Sequence, residues 1–375
     1  MPTATMTQFV MNLRYTFTPA IVRDLMEIEA ARQAVQLTVL PPSIAAALRQ
    51  GARIRATHYS TRIEGNRLTL AEAQEAVLDG RRFPGRERDV REVQNYYRAL
   101  GQVEEWAARQ TPMTEELICR LHALIFTGAR ARPSPYRDGQ NVIRDGATGA
   151  IIYLPPEAAD VPRLMASLVA WIATAGREKL PAPVIAGLTH YQFVTVHPFY
   201  DGNGRTARAL ATLILYRHGY DLGHFYSLEE VYAADLAAYY AALQTHPHHN
   251  YYEGRADAEL TGWLAYFVHG MAATFRHIAA EVQARADRPS APELPELRQF
   301  DRRARVVLGL FTRQESLTTA EIARALALSP RAARDLLANW VAAGWLEVAD
   351  LARKSRRYRL SAEYRRFIGA ITAEE

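Results

Sequence analysis

Base, carboxylate and two cations are brought together in one short run: His197-Pro198-Phe199-Tyr200-Asp201-Gly202-Asn203-Gly204-Arg205-Thr206-Ala207-Arg208. Gly202 and Gly204 carry no Cβ, so the backbone can turn sharply there and approach a ligand closely. Ala207, Leu210, Ala211, Ile214 and Leu215 follow at helical spacing. The loop thus delivers backbone N–H groups at a helix N-terminus, which is an anion site. Arg205 and Arg208, three apart, share a face of that helix and can both reach a polyphosphate, and Arg suits bidentate contact with phosphate oxygens. Asp201 would repel phosphates unless it held a Mg²⁺ bridging two of them. His197 is the candidate general base, provided its pKa stays near the reference value of about 6.5. Singly, a Gly-Asn-Gly is a turn, paired arginines are a solvated face and a lone His is structural. Their joint spacing instead points to a site for a nucleoside triphosphate. The order G-x-x-x-x-G-K-[ST] is absent, which excludes a Walker A loop, and no kinase or dinucleotide signature surrounds the run.

The run fits H-x-F-x-[DE]-G-N-G-R-x-x-R at every defined position. It resembles the signature of Fic domain proteins. The resemblance implies a mostly helical fold and transfer of AMP from ATP to a hydroxyl side chain of a target protein, the chain itself among the candidates. It also implies roles. His197 deprotonates the attacking hydroxyl, Asp201 binds Mg²⁺, and Asn203 with the Gly202 and Gly204 backbone cradles the α- and β-phosphates. Arg205 and Arg208 hold the outer phosphates, Arg208 the γ-phosphate, while Phe199 anchors the loop in the core. Tyr239, Tyr240 and Asn250 fall where related proteins contact adenine and ribose, although aromatic residues at helical spacing are more often core. Related folds also use another donor, attach phosphoryl or phosphocholine groups, or remove AMP with a carboxylate positioning water. A homodimer is implied by resemblance alone.

Upstream, Ser60-Thr61-Arg62-Ile63-Glu64-Gly65-Asn66 fits [ST]-x-x-x-E-[GN], which in Fic proteins marks a self-inhibitory helix. A Glu64 carboxylate set against Arg208 would form a charge-assisted bidentate pair where the γ-phosphate should sit. The plainer alternative is an ordinary helix stopped by Gly65 and Asn66. Between the two motifs, Tyr136 to Ile143 and Ile151-Ile152-Tyr153-Leu154 flank a turn from Asp145 to Gly149 and predict a hairpin. In Fic proteins such a hairpin is a flap that pairs with an extended segment of the target. A plain surface hairpin is the other reading.

Helices must position these groups. Ser43 is expected to cap one running toward Arg62, and Thr69 with Glu72 forms a capping box for the next. Further helices are expected over roughly 89–108, 114–126, 160–175, 182–196, 203–218, 228–243 and 255–285. The expected fold class is mainly α: a helical bundle with a hairpin flap, followed by a small winged-helix domain. The domains are expected at 1–110 (carrying the inhibitory helix), 111–285 (catalytic core), 286–298 (a proline-containing linker) and 299–375. His190 is assigned to packing, and His246, His248 and His249, broken by Pro247, to a polar loop.

The 375 residues are 49% hydrophobic and 23% charged, with a single cysteine, Cys119, so no intrachain disulfide can form. With no export signal over 1–13 and no long apolar run, a cytoplasmic enzyme is expected. The net charge of +5 lies wholly in the tail, where residues 299–375 hold 14 Lys and Arg against 9 Asp and Glu. There, an apolar helix (Val306, Val307, Leu310, Phe311), Thr318-Thr319 capping a second and Ser329-Pro330 opening a third precede two strands around a turn with Arg353 and Lys354. This layout resembles a winged helix-turn-helix, with Arg331, Arg334 and Asn339 as candidate readers of DNA. Many such domains bind protein instead. The second functional reading is therefore a DNA-binding regulator that uses the nucleotide site as a sensor.

Overall fold

The structure is a computed structural model that describes residues 11, 13–129, 132–144, 148–286, 302–311, 314–326, 328–350, 356–362 and 364–365. The chain divides into two compact units, 1–287 and 288–375. In the first, the helices are α1 (Pro19–Leu37), α2 (Pro42–Ile63), α3 (Leu70–Leu78), α4 (Glu87–Ala108), α5 (Glu115–Phe126), α6 (Val161–Arg177), α7 (Ala182–Val196), α8 (Asn203–Arg217), α9 (Glu229–Ala234), α10 (Leu236–Leu243) and α11 (Thr261–Ala286). One antiparallel hairpin, β1 (Ile143–Arg144) and β2 (Ile151–Tyr153), interrupts them.

Helix α7 is the axis of this unit. Its residues from Ala182 to Val196 are almost all buried, so it is apolar on every side rather than amphipathic. Helices α6, α8 and α11 pack around it. Trp263 of α11 is fully buried and donates its indole N–H to the Gly187 carbonyl at 2.7 Å. Gly187 permits this approach, because a Cβ there would come within 2.8 Å of Phe267. Helix α1 lies along α11 with Ile21, Asp24, Ile28, Ala31 and Val35 inward, an i, i+3, i+4 pattern. Thr18 caps it and Pro19 occupies its first turn.

The expected boundaries need four corrections. Helix α1 was not expected at all, although Thr18-Pro19 is a helix-start signal. Helix α2 begins at Pro42 after Pro41, with no side-chain cap, so Ser43 lies inside the helix rather than capping it. The single helix expected over 228–243 is two, because Asp235 leaves the helical region (φ −137°, ψ 81°) and its carboxylate caps α10 at the Ala238 N–H. A short Asp does this better than it propagates a helix. Helix α11 starts at Thr261, since Arg255–Asp257 is a 3-10 turn. At Thr69 the capping box with Glu72 is present.

The second unit holds α12 (Arg302–Leu310), β3 (Leu317–Thr318), α13 (Thr319–Ala325), α14 (Pro330–Ala342), β4 (Leu346–Asp350) and β5 (Arg357–Leu360). Thr318 caps α13 in a capping box with Glu321, and Ser329 caps α14 with Pro330 at its first position. The sheet has three strands in the order β3-β5-β4, one more than the two expected. Its core includes Val307, Leu337, Trp340, Trp345 and Tyr358. Residues 287–298 of the expected linker, and the turn with Arg353 and Lys354, lie outside the described residues.

Trp263→Ala removes both the largest buried side chain of the first unit and a hydrogen bond to its central helix. A destabilisation of about 3–5 kcal/mol is expected, read as a lower urea midpoint for that unit with an unchanged slope.

Candidate active site

Helix α7 ends at His197, whose backbone is left-handed (φ 52°, ψ 59°) and whose N–H still bonds Phe193 O at 3.0 Å. That conformation is rare for a residue with a side chain, so the surrounding structure must hold it. Arg137, itself buried, does so: its Nε donates to His197 O at 2.9 Å, and its other nitrogens reach Gly139 O, Gln140 Oε1 and Pro156 O. His197 Nδ1 lies 3.2 Å from the Val194 carbonyl. Only a protonated Nδ1 can bond a carbonyl, which leaves Nε2 as a free acceptor. Burial lowers the His197 pKa to about 4, and Arg137 adds to the effect. The ring is therefore neutral at pH 7 and a weaker base than its unperturbed pKa suggests.

The loop closes on itself. Asn203 Oδ1 accepts the Phe199 N–H at 3.0 Å and Asn203 Nδ2 donates to Phe199 O at 2.7 Å. The Asn203 amide thus closes the loop with one donated and one accepted bond, keeping its second N–H for a ligand. Phe199 is buried and stacks on His122 with ring centres 3.8 Å apart. His122 Nε2 in turn sits 2.8 Å from the Asp201 carbonyl, and its Nδ1 sits 2.7 Å from Ser134 Oγ. Neither Arg137 nor His122 was singled out from the sequence, since a lone Arg in a hairpin strand and a lone His in an apolar helix carry no pattern.

Gly202 is the left-handed N-cap of α8 (φ 79°), and a Cβ there would lie 3.1 Å from His122 Nε2. At Gly204 a Cβ would lie 2.4 Å from Glu64 Oε1. The Glu64 carboxylate thus rests against the first turn of α8, where free N–H groups and the helix dipole favour an anion. Arg208, 1% exposed, meets it there: Nη2 to Glu64 Oε1 is 2.8 Å. The pair is a single contact rather than the bidentate one expected, and Ser60 takes Nε through its Oγ and shares Nη2 through its carbonyl, both at 2.9 Å. Burial works against the Arg208 charge, but the Glu64 carboxylate together with Tyr239 and Tyr96 more than offsets it, and the pKa ends above its ordinary value. Glu64 is placed by the end of α2. Gly65 N–H bonds Arg62 O and Asn66 N–H bonds Thr61 O, with Gly65 left-handed (φ 88°), which is a Schellman stop. The two readings of 60–66 are thus one structure: the helix terminator is what aims Glu64.

Arg205 is buried too, but it does not accompany Arg208. Its guanidinium lies 3.6 Å from Asp201 Oδ1 and 3.7 Å from Glu92 Oε1. Glu92 also receives Asn66 Nδ2 at 3.2 Å, joining the helix terminator to the loop. The Arg205 Nε is buried without a partner. The Asp201 carboxylate is half exposed.

Tyr239 is buried, 2.9 Å by its hydroxyl from His190 Nε2, within an aromatic cluster containing Trp263 and Tyr232. It is a wall behind Arg208 rather than a surface for a base. Tyr240 is exposed and close enough to sense the charges of Glu64 and Arg208. Asn250 spends its side chain on Tyr252 N and Glu253. In the hairpin, Ile143 pairs with Tyr153 and Arg144 with Ile151, and Ile151 and Ile152 are exposed. The Tyr153 side chain is buried and donates its hydroxyl to Thr195 O at 2.6 Å, which leaves only its main chain for pairing with a target. Part of the expected turn, 145–147, lies outside the described residues.

Burial depresses the His190 pKa to about 3 as it depresses that of His197 to about 4. The unfolded chain, with values near 6.5, takes up these protons first, so the stability due to the neutral rings is complete above pH 6.5 and drains away as pH falls toward 4. For His190 the slope is about 1.4 kcal/mol per pH unit. The melting temperature is expected to fall between pH 6.5 and 4, less steeply in His190→Gln. Equal slopes in the two proteins would refute the assignment.

The profile of the Fic/DOC family matches residues 112–215. Protein adenylyltransferase Fic of Nematostella vectensis is 31% identical over 166 residues, covering 44% of this chain and 37% of that protein. The namesake in Drosophila virilis is 26% identical over 199 residues, 53% of this chain and 40% of that protein. The chain thus spans about two fifths of the length of these curated relatives. A crystal structure of a Fic family protein from Desulfovibrio desulfuricans superposes with a TM-score of 0.60 at 27% identity, covering 94% of this chain and 98% of that one. Fic-1 of C. elegans, at 22% identity, shares the fold with a TM-score of 0.55 over 70% of this chain and 73% of that one. The stretch matched by the Fic/DOC model, residues 112–215, is the one that holds the His197–Arg208 loop.

Proposed function

We propose that the protein is a self-inhibited adenylyltransferase that moves AMP from ATP to a hydroxyl side chain of a target protein. The observation that carries this reading is the Glu64 carboxylate on Arg208 at the N-terminus of α8, an anion of the chain's own occupying an anion site. A triphosphate competes for the same place, with its outer phosphate on Arg208 and its inner ones over the backbone of Gly202, Asn203 and Gly204. His197, neutral and with Nε2 free, accepts the proton as the target hydroxyl oxygen attacks the α-phosphorus. The new P–O bond forms as the bond to the β-phosphate breaks, and pyrophosphate leaves. The negative phosphates beside His197 favour its protonated form and so strengthen a base that burial has weakened.

Among the described residues no group of three His, Cys, Asp or Glu could hold a metal ion. Asp201, a lone half-exposed carboxylate at the loop, fits a Mg²⁺ that arrives on the triphosphate and keeps most of its ligands from phosphate and water. When bound, that ion neutralises phosphate charge. Arg205 holds Asp201 in place, which assigns it to the loop rather than to the outer phosphates. Exposed Ile151 and Ile152 form the edge on which a target segment would lie. With Glu64 in place, the same carboxylate near the site could instead position water and remove AMP.

Incubation with ATP and Mg²⁺ followed by intact-mass measurement tests the reading. Glu64→Gly is expected to gain an AMP adduct, on itself or on a supplied target, at least tenfold faster than wild type, and Glu64→Gly with His197→Ala to gain none. No adduct on any protein, with candidate targets present, would overturn transfer from ATP.

The second reading, a DNA-bound regulator, is supported by the exposed placement of Arg331, Arg334 and Asn339 on α14 of a basic unit. It requires a gel shift with duplex DNA that weakens steeply as salt rises, and a shift that is absent or insensitive to salt removes it.

A further inference from the structure

Glu64 reaches Arg208 only while the end of α2 keeps its place. The Schellman stop does not fix that place by itself, because its two bonds, Gly65 N–H to Arg62 O and Asn66 N–H to Thr61 O, run back into α2. They shape the turn without tying it to another element. The tie is the Asn66 side chain, which is buried and bonded at both ends. Its Oδ1 accepts the Leu68 N–H at 3.1 Å, and its Nδ2 donates to two points one turn apart on α4, Asp89 O at 3.0 Å and Glu92 Oε2 at 3.2 Å.

Glu92 is where this tie meets the loop before α8. Its other oxygen, Oε1, accepts Arg88 Nε at 3.0 Å and lies 3.7 Å from Arg205 Nη1. Arg205 in turn lies 3.6 Å from Asp201 Oδ1. Both Arg205 separations are ion-pair distances, too long for hydrogen bonds. One carboxylate thus faces the end of α2 with one oxygen and α8 with the other, on a helix that packs against both. We infer that Glu92 is a positioning residue for Glu64: its hold on Asn66 keeps the last turn of α2 where the Glu64 carboxylate meets Arg208. A bond to an ionised acceptor is the stronger kind, and without it Asn66 Nδ2 keeps only a backbone carbonyl of α4. Loosening that turn raises the share of molecules in which Arg208 is open to another anion, and the apparent affinity for that anion scales with the share.

The inference rests on the nucleotide site proposed above, so its test reads binding rather than turnover. The non-hydrolysable α,β-methylene analogue of ATP, with Mg²⁺, is titrated calorimetrically into the full chain carrying Glu92→Ala or Asn66→Asp, each with Glu64 present and with Glu64→Gly. Asn66→Asp keeps an acceptor for Leu68 but replaces the donor with a charge that Glu92 repels. With Glu64 present, either substitution is expected to tighten binding about fivefold, the low end of coupling between sites. With Glu64→Gly no carboxylate is left to unseat, and the same substitutions are expected to leave affinity unchanged. Glu92→Gln, which keeps an acceptor for Asn66, should tighten binding less than Glu92→Ala. A gain of equal size with and without Glu64 would mean that Glu92 acts on the ligand through Arg205, and would overturn the inference, as would unchanged or weaker binding with Glu64 present. Asn66→Asp, which leaves Glu92 and Arg205 in place, decides the matter if Glu92→Ala does not fold. Failure of Glu64→Gly alone to bind the analogue would instead overturn the nucleotide site.

Discussion

A guanidinium with almost no contact with water needs an anion beside it at all times, and Arg208 is such a group. Its charge cannot be removed by deprotonation, so the only freedom left is which anion it holds. In this structure the anion is Glu64, and much of the first unit is arranged to deliver it. The Schellman stop at Gly65 fixes the end of α2, Asn66 ties that end to α4, and Gly204 leaves the space into which the carboxylate fits. A pair of this kind contributes little net stability, because desolvating two charges offsets most of their attraction. Its value lies in being exchangeable, since another anion of suitable shape relieves the same buried cation.

The loop around this pair is held independently of it. Asn203 closes the turn onto Phe199, His122 holds the Asp201 carbonyl, and Arg137 holds the carbonyl of His197. Each of these side chains makes at least one hydrogen bond to the backbone of the loop. The groups that would meet a ligand are therefore set before it arrives, so little ordering entropy remains to oppose binding. The partial positive charge of the α8 N-terminus is likewise fixed in direction by the left-handed Gly202.

Much of this could be read from residue types because the relevant spacings are short. Gly202, Gly204 and the apolar positions after them are close in sequence, so their local geometry forecast α8 within a residue at either end. The helix end at Gly65 and Asn66 was legible for the same reason, whereas the pairing of Glu64 with Arg208 was implied by the resemblance to Fic proteins. What escaped was everything that depends on distant partners. Tyr239 was placed at the ligand, but a phenol goes to whichever partner the fold supplies, and here its hydroxyl meets His190, 49 residues away. The split at Asp235 reflects a local competition between capping and helix extension that a helical pattern of apolar residues conceals. Glu92, His122 and Arg137 stand isolated in sequence and acquire meaning only by packing.

Tyr153 carries a consequence for how a partner chain would be read. Its hydroxyl bolts one end of the hairpin to Thr195, two residues before His197, so the strand and the imidazole share a common frame. A peptide laid along the exposed edge of β2 would be indexed against that frame in steps of one strand residue, with alternate side chains turned toward and away from the ring. Were such a peptide to carry the acceptor hydroxyl of the proposed reaction, main-chain register would set which of its residues reaches the ring, and the neighbouring side chains would be free to vary.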